Sequence, residues 1–267
     1  MQNILNVTKG MINFIGAVKG TKDIIYQRLA GRYNNIVGSI VFNVNQKYST
    51  WFPFWTENVR IIEFGFEEAG EFFSLSQGTG FFLKGIGFIT NAHVLKDYDK
   101  DEHVIKLYQS RYNTSQTEAT LIKLSFHKDI AILKVDGLDI DKGFNFNIMH
   151  HQGEKITLLG YPNHSGDNSL YIDEGKIKQF VNVHFNDVFN EETNELGVTQ
   201  ERIVISSRIV AGNSGGPVIN SSNEVIGIAT IGFKSLTTDS EDDITTQSTI
   251  VKINDVLELS RKLQSTT

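Results

Sequence analysis

The chain has 267 residues, 40% of them hydrophobic and 10% aromatic, enough to build the core of one large domain or two lobes. Glycine and proline together make up only about a tenth, which excludes collagen-like and low-complexity classes, and the absence of cysteine excludes disulfide frameworks, thiolate metal sites and cysteine nucleophiles. The net charge of −6 is too acidic for a nucleic-acid binder, yet it is unevenly spread, because Lys9, Lys19, Lys22, Arg28, Arg32 and Lys47 face Asp23 alone in residues 1–50.

In chain order, the first element is a basic amphipathic helix within residues 1–30, with Ile4, Val7, Met11, Phe14, Ile15 and Val18 at helical intervals and Gly10, Gly16 and Gly20 interrupting it. A helix there would dock on the acidic remainder of the chain or on a partner. The pattern then changes to short β-branched and aromatic runs at 36–44, 59–66, 71–75, 80–83, 87–90, 103–108, 119–125, 131–135, 155–159, 176–183, 203–206, 217–219, 225–232 and 248–253. Such runs, separated by turn-rich gaps, predict an all-β protein of antiparallel barrels or sandwiches. Residues 136–149 form the best internal boundary, and a capping-box-like Asp255 and Glu258 with Val256, Leu259 and Leu263 predict a C-terminal helix. The expected organisation is a basic extension over 1–50, a first lobe over 51–140 and a second over 141–267.

The apolar run 11–18 does not read as a targeting segment: only Lys9 precedes it among basic residues, Asn13 and Gly16 interrupt it, and no small-residue cleavage pattern follows. No stretch approaches the roughly 20 apolar residues that span a bilayer. With no cysteine, a soluble protein of a reducing compartment, the cytoplasm, is expected.

The most informative hexapeptide is Gly212-Asn213-Ser214-Gly215-Gly216-Pro217. A serine flanked by small residues in a tight turn has an accessible Oγ, and neighbouring backbone N–H groups can converge on one oxyanion. All seven histidines precede Ser214, which excludes the α/β-hydrolase order of serine, acid, histidine. A subtilisin-like order of acid, histidine, serine fits the positions, but the all-β pattern lacks the helices of that architecture. His93 has the best context for a base, after the apolar run Gly87-Phe88-Ile89-Thr90 and beside small Ala92. Asp129 stands at the polar entrance of Ile130-Ala131-Ile132-Leu133, where a half-buried carboxylate can fix a histidine tautomer. His127, two residues before it, is the rival base within the motif.

Taken together, Thr79-Gly80-Phe81, Ile89-Thr90-Asn91-Ala92-His93-Val94, Asp129-Ile130-Ala131-Ile132-Leu133 and the Ser214 hexapeptide resemble the trypsin-like serine peptidases, and most of all the cysteine-free bacterial branch that includes the HtrA/Deg proteases. The resemblance implies two six-stranded antiparallel β-barrels of chymotrypsin-like fold, with His93 and Asp129 from the first, Ser214 from the second, and the N–H groups of Gly212 and Ser214 as the oxyanion hole. It further implies that Thr230 lines the cleft and supports Asp129, and that Gly232 leaves the pocket mouth open. Arg208, six residues before the serine, falls at the position of the pocket base, where it would favour an acidic side chain. If it points outward or pairs internally, Ile209, Ala211 and Ile231 leave a small apolar pocket instead. Asn213 replaces the aspartate that pairs with a new amino terminus in secreted relatives, so no zymogen activation of that kind is expected. The chain runs only one helix past its last strand, so no PDZ domain is expected.

No cofactor or metal is expected. His150-His151 is read as inter-lobe loop, and Asp97, Asp99 and Asp101 lack the glycine and glutamate that a calcium loop needs at its sixth and twelfth positions. The implied activity is endopeptidase cleavage of protein or peptide substrates. An inactive protease-like peptide-binding module and a serine esterase on the same fold are the alternatives.

Overall fold

The computed structural model describes residues 48, 50–109, 116–162, 170–230, 234–235, 245–246 and 248–264. The chain divides into two units, Met1–Phe52 and Pro53–Thr267, and the account below concerns the second. The expected helix over 1–30, its docking, and the run at 36–44 lie outside the described residues.

A short helix α1 (Phe52–Asn58) leads into the first barrel, whose strands are β1 (Val59–Glu68), β2 (Glu71–Leu83), β3 (Gly87–Thr90), β4 (Val104–Tyr108), β5 (Thr117–Ser125) and β6 (Ile130–Lys134). The strands pair antiparallel in the order β1-β2-β3-β6-β5-β4, and β4 closes on β1. The interior takes alternate residues, Ile62 and Phe64 from β1, Phe82, Phe88, Ile105 and Leu107, with Ala131 and Leu133 from β6. The opposite positions Ile61, Phe81, Ile89, Ile130 and Ile132 are also fully buried, so these strands read as continuous apolar runs rather than alternating ones. Each fully buried Ile or Phe contributes about 1.5–3 kcal/mol.

The second barrel consists of β7 (Lys155–Gly160), β8 (Tyr171–Asn190), β9 (Glu195–Ile205), β10 (Pro217–Asn220), β11 (Val225–Thr230) and, after the two-residue strands β12 (Lys234–Ser235) and β13 (Thr245–Thr246), β14 (Thr249–Lys252). Its order is β10-β11-β14-β9-β8-β7, closed by β7 against β10, around Ile156, Leu158, Ile203, Ile205, Val218, Ile226 and Ile250. The C-terminal helix α2 (Ile253–Gln264) buries Ile253, Val256 and Leu259, one stripe at intervals of three, and packs beside β11 and β14. No helix among the described residues is long and apolar enough to cross a membrane.

The all-β class and the two six-stranded barrels are as expected, while three boundaries are corrected. The runs at 71–75 and 80–83 are one strand, because Gly78 and Gly80 lie where β2 crosses neighbours too closely for side chains: a Cβ on Gly80 would stand 2.3 Å from the Phe88 ring. The runs at 176–183 and 203–206 are the inner ends of a much longer hairpin, β8 and β9, whose outer half is mostly exposed or half-buried, with Val198 buried, and so carries no alternating apolar signal. The run at 248–253 ends a residue early, since Ile253 begins α2, two residues before the expected start at Asp255.

Candidate active site

At the end of β3, Asn91 is fully buried and a 3-10 turn, Ala92–Leu95, presents His93. Asn91 Nδ2 donates to the backbone carbonyl of Asp129 at 3.0 Å, and Asp129 N donates to Phe126 O at 3.1 Å. These bonds hold Asp129 at φ 58°, a left-handed conformation that costs a non-glycine residue about 1–3 kcal/mol and must be imposed by its surroundings. The result aims the carboxylate at His93. Asp129 Oδ1 accepts from His93 N at 3.1 Å and lies 2.9 Å from His93 Nδ1, while Oδ2 accepts from Thr230 Oγ1 at 2.8 Å.

Burial by itself would raise the Asp129 carboxyl. The nearby His93, its hydrogen bonds and the more distant Arg202 guanidinium outweigh it, leaving the group below its ordinary value and ionised at neutral pH. An ionised carboxylate at Nδ1 can only accept, so the imidazole proton resides on Nδ1 and Nε2 is left as the basic nitrogen.

Ser214 sits in the turn between β9 and β10. Gly212 has φ 92° and Gly215 φ 88°, both in the region that glycine alone enters freely. A Cβ on Gly215 would stand 2.0 Å from Thr79 O and 2.2 Å from Thr90 Oγ1, so the turn also needs glycine for space. The N–H groups of Gly212 and Ser214 donate to no acceptor among the described residues, unlike Asn213, Gly215 and Gly216, which donate to Val210 O, Ala229 O and Asn213 O. Ser214 Oγ and His93 Nε2 are both buried without a hydrogen-bond partner, and the bond between them is not formed in this structure. The donor and acceptor that proton transfer requires are thus both unengaged.

Behind Asp129 the long hairpin crosses from the second barrel to the first. Glu191, at its tip, accepts from Phe126 N at 2.9 Å and pairs with His127 Nδ1; Gln200 Nε2 donates to His127 O, and Arg202 Nη2 to Gln200 Oε1. His127 is therefore engaged by the arm's acids, with Glu192 Oε1 3.6 Å from its Nε2, and not by Ser214. A cavity of about 270 Å³ lies beneath this arm, lined in part by His127, Lys128, Gln200, Arg202, Lys252 and Asp255. Arg202 is 3% exposed, and its Nε and Nη1 have no partner. Burial holds its guanidinium below its ordinary value, and Asp129 and Asp255 offset only part of that.

The remaining expected site residues are dispersed. Arg208 is exposed and its backbone N–H donates to Asp173 Oδ2 at 2.9 Å. Ala211 is exposed, Ile209 packs against the second barrel's core with its N–H on Ser248 Oγ at 3.0 Å, and Ile231 and Gly232 lie outside the described residues. His150 stacks on Phe180, and no group of three or more metal-ligating side chains occurs among the described residues. The sequence reading missed Asn91, Glu191, Gln200 and Arg202 as supports of the aspartate; of these only Asn91, inside the His93 motif, carries a local signal.

The trypsin-like peptidase domain family matches residues 78–228, from β2 through His93 to β11 beyond Ser214. The chain belongs to this family. It is 30% identical over 142 residues to the serine protease Do-like HtrB of Bacillus subtilis strain 168, covering 52% of this chain and 28% of that protein. The chain thus spans little more than a quarter of that relative. The trypsin-like peptidase fold is also seen in the active form of the Rv3671c protease of M. tuberculosis, with 20% identity, a TM-score of 0.59, and coverage of 81% of this chain and 86% of that one. The serine endoprotease from Yersinia pestis aligns with 20% identity and a TM-score of 0.57, over 81% of this chain and 66% of that one.

Proposed function

We propose that the chain is a serine endopeptidase acting through a Ser214–His93–Asp129 triad and an acyl-enzyme. Ser214 Oγ attacks the scissile carbonyl as its proton passes to His93 Nε2, and the N–H groups of Gly212 and Ser214 receive the oxyanion. His93 then gives that proton to the leaving amine, and a water, deprotonated by the same nitrogen, releases the acyl group. The observation that carries this reading is the 2.9 Å contact between His93 Nδ1 and Asp129 Oδ1, backed by Thr230 from the other barrel, which prepares Nε2 as a base. Closure of the Ser214–His93 bond belongs to substrate binding, since catalytic hydrogen bonds are often long or absent until then. Substrates are protein or peptide chains, and the compartment proposed for a cysteine-free chain is the cytoplasm.

A fluorophosphonate probe and a peptide-library digest test the reading. The wild type should label and cleave, and Ser214→Ala should lose both, with peptide turnover down by at least about 10³-fold because triad members act as a unit. Its melting temperature should not change, since one hydroxyl is removed from a position that makes no hydrogen bond. Peptide binding by a wild type that neither labels nor cleaves would instead identify a peptide-capturing module.

A further inference from the structure

Thr79 belongs to the first barrel, yet three of the four hydrogen bonds it makes outside the strand ladders engage the second. It is fully buried in β2. Its hydroxyl donates to the carbonyl of Gly212 at 2.6 Å and accepts from Tyr161 N at 2.9 Å, which uses its one hydrogen and one lone pair. Its backbone N–H donates to the carbonyl of Ser214 at 2.8 Å. Its own carbonyl accepts from Thr90 Oγ1 at 2.7 Å, on the strand that leads to His93.

The two carbonyls held by Thr79 lie on either side of the Asn213–Ser214 peptide, which carries the Ser214 N–H, and the Gly212 N–H stands directly before the first of them. Anchoring Gly212 C=O fixes the plane of the Gly212–Asn213 peptide, and anchoring Ser214 C=O fixes that of Ser214–Gly215. Gly212, at φ 92°, is the hinge between the first anchored plane and its own N–H, and without that anchor it could rotate with little resistance, because glycine has no side chain to stop it. A rotation there swings the Gly212 N–H away from the oxyanion position. We propose that Thr79 is a positioning residue for the oxyanion hole: its hydroxyl locks the Gly212 peptide from across the barrel interface and ties it to the β7 exit at Tyr161. The proposal rests on the peptidase reading only for its kinetic consequence; the lock itself is a property of the backbone.

Thr79→Val keeps the shape and removes the hydroxyl, and Thr79→Ser keeps the hydroxyl. On a fluorogenic peptide, Thr79→Val should lower kcat by about 10- to 10²-fold, less than the roughly 10²- to 10³-fold lost with an oxyanion donor itself, since the donors stay in place but are no longer locked, with KM within threefold. Affinity for a peptide boronic acid, whose oxygen occupies the hole, should fall by a similar factor, and Thr79→Ser should restore both to within threefold of wild type. Amide hydrogen exchange across 210–216 should accelerate at least tenfold in Thr79→Val and not in Thr79→Ser, whether or not the wild type turns over. Unchanged exchange overturns the lock. Faster exchange with unchanged kcat and boronate affinity overturns its role in the hole, and a wild type that is inert to peptide and fluorophosphonate overturns the peptidase reading while leaving the exchange result to judge the lock. Should Thr79→Val fail to fold, Thr79→Ala, which leaves room for a water between Tyr161 N–H and Gly212 C=O, is held to the same exchange criterion.

Discussion

Replacing Asp129 by asparagine removes a charge while keeping nearly the same shape. The carboxylate faces His93 Nδ1 at 2.9 Å, with side chains 13% exposed for Asp129 and 34% for His93. At an effective dielectric of about 20, that separation gives an attraction of about 6 kcal/mol once the imidazole carries a proton, as it does in the transition state. Water reaching His93 screens part of it, so the figure is an upper bound. At about 1.4 kcal/mol per factor of ten, the expected loss in kcat for Asp129→Asn is about 10³- to 10⁴-fold. KM should change little, because the residue lies behind His93, away from the substrate side. The asparagine can still accept from His93 N and exchange a hydrogen bond with Thr230, so the melting temperature should stay within a few degrees. Steady-state kinetics on a fluorogenic peptide, with thermal melts as control, measures this. A kcat within tenfold of wild type would show that Asp129 does not act through His93.

Two further outcomes follow from side chains near the site. Arg208→Ala should leave the relative kcat/KM for peptides with Asp, Glu, Val, Leu or Lys before the scissile bond unchanged within threefold, since the guanidinium is exposed; a collapse of acidic preference in the variant would put it in the pocket. The Glu191 carboxyl is raised by burial but lowered more by its bonds from His127 and Phe126, and lies below its ordinary value of 4.5. A depressed acid stabilises the fold above its unfolded value and loses that contribution as pH falls through the folded one. Urea midpoints of the wild type should therefore decline on acidification below about pH 4.5, and Glu191→Gln should show a shallower decline; parallel curves would remove Glu191 from the acid response.

The two barrels were legible because their strands are short, apolar and punctuated by turns, and the nucleophile motif because glycines at 212 and 215 meet a backbone requirement that few other residues satisfy. Residues such as Asn91 and Thr79 lay inside recognisable motifs, although their partners, Asp129 O and Gly212 O, are 38 and 133 positions away. Glu191, Gln200 and Arg202 had no local signature at all. They sit on a hairpin whose outer half is mostly solvated, so periodicity fades where the arm begins its reach toward His127. Counting back six residues from the serine gives Arg208 a pocket position; the loop leaves the residue exposed, and the peptide series above tests the assignment.

Each half of the proposed catalytic apparatus is gripped by the other half of the molecule. Thr230 and the β8–β9 arm of the second barrel hold the Asp129 loop of the first, and Thr79 of the first barrel holds the Gly212–Ser214 loop of the second. The proposed triad would therefore be a gauge of alignment between the barrels: a small slip along their interface would loosen Asp129 and the Gly212–Ser214 turn together, with both cores intact. Severed halves could fold around their own apolar interiors and still be inert until reunited, and recovery of turnover on mixing them would time the docking step rather than the folding of either part.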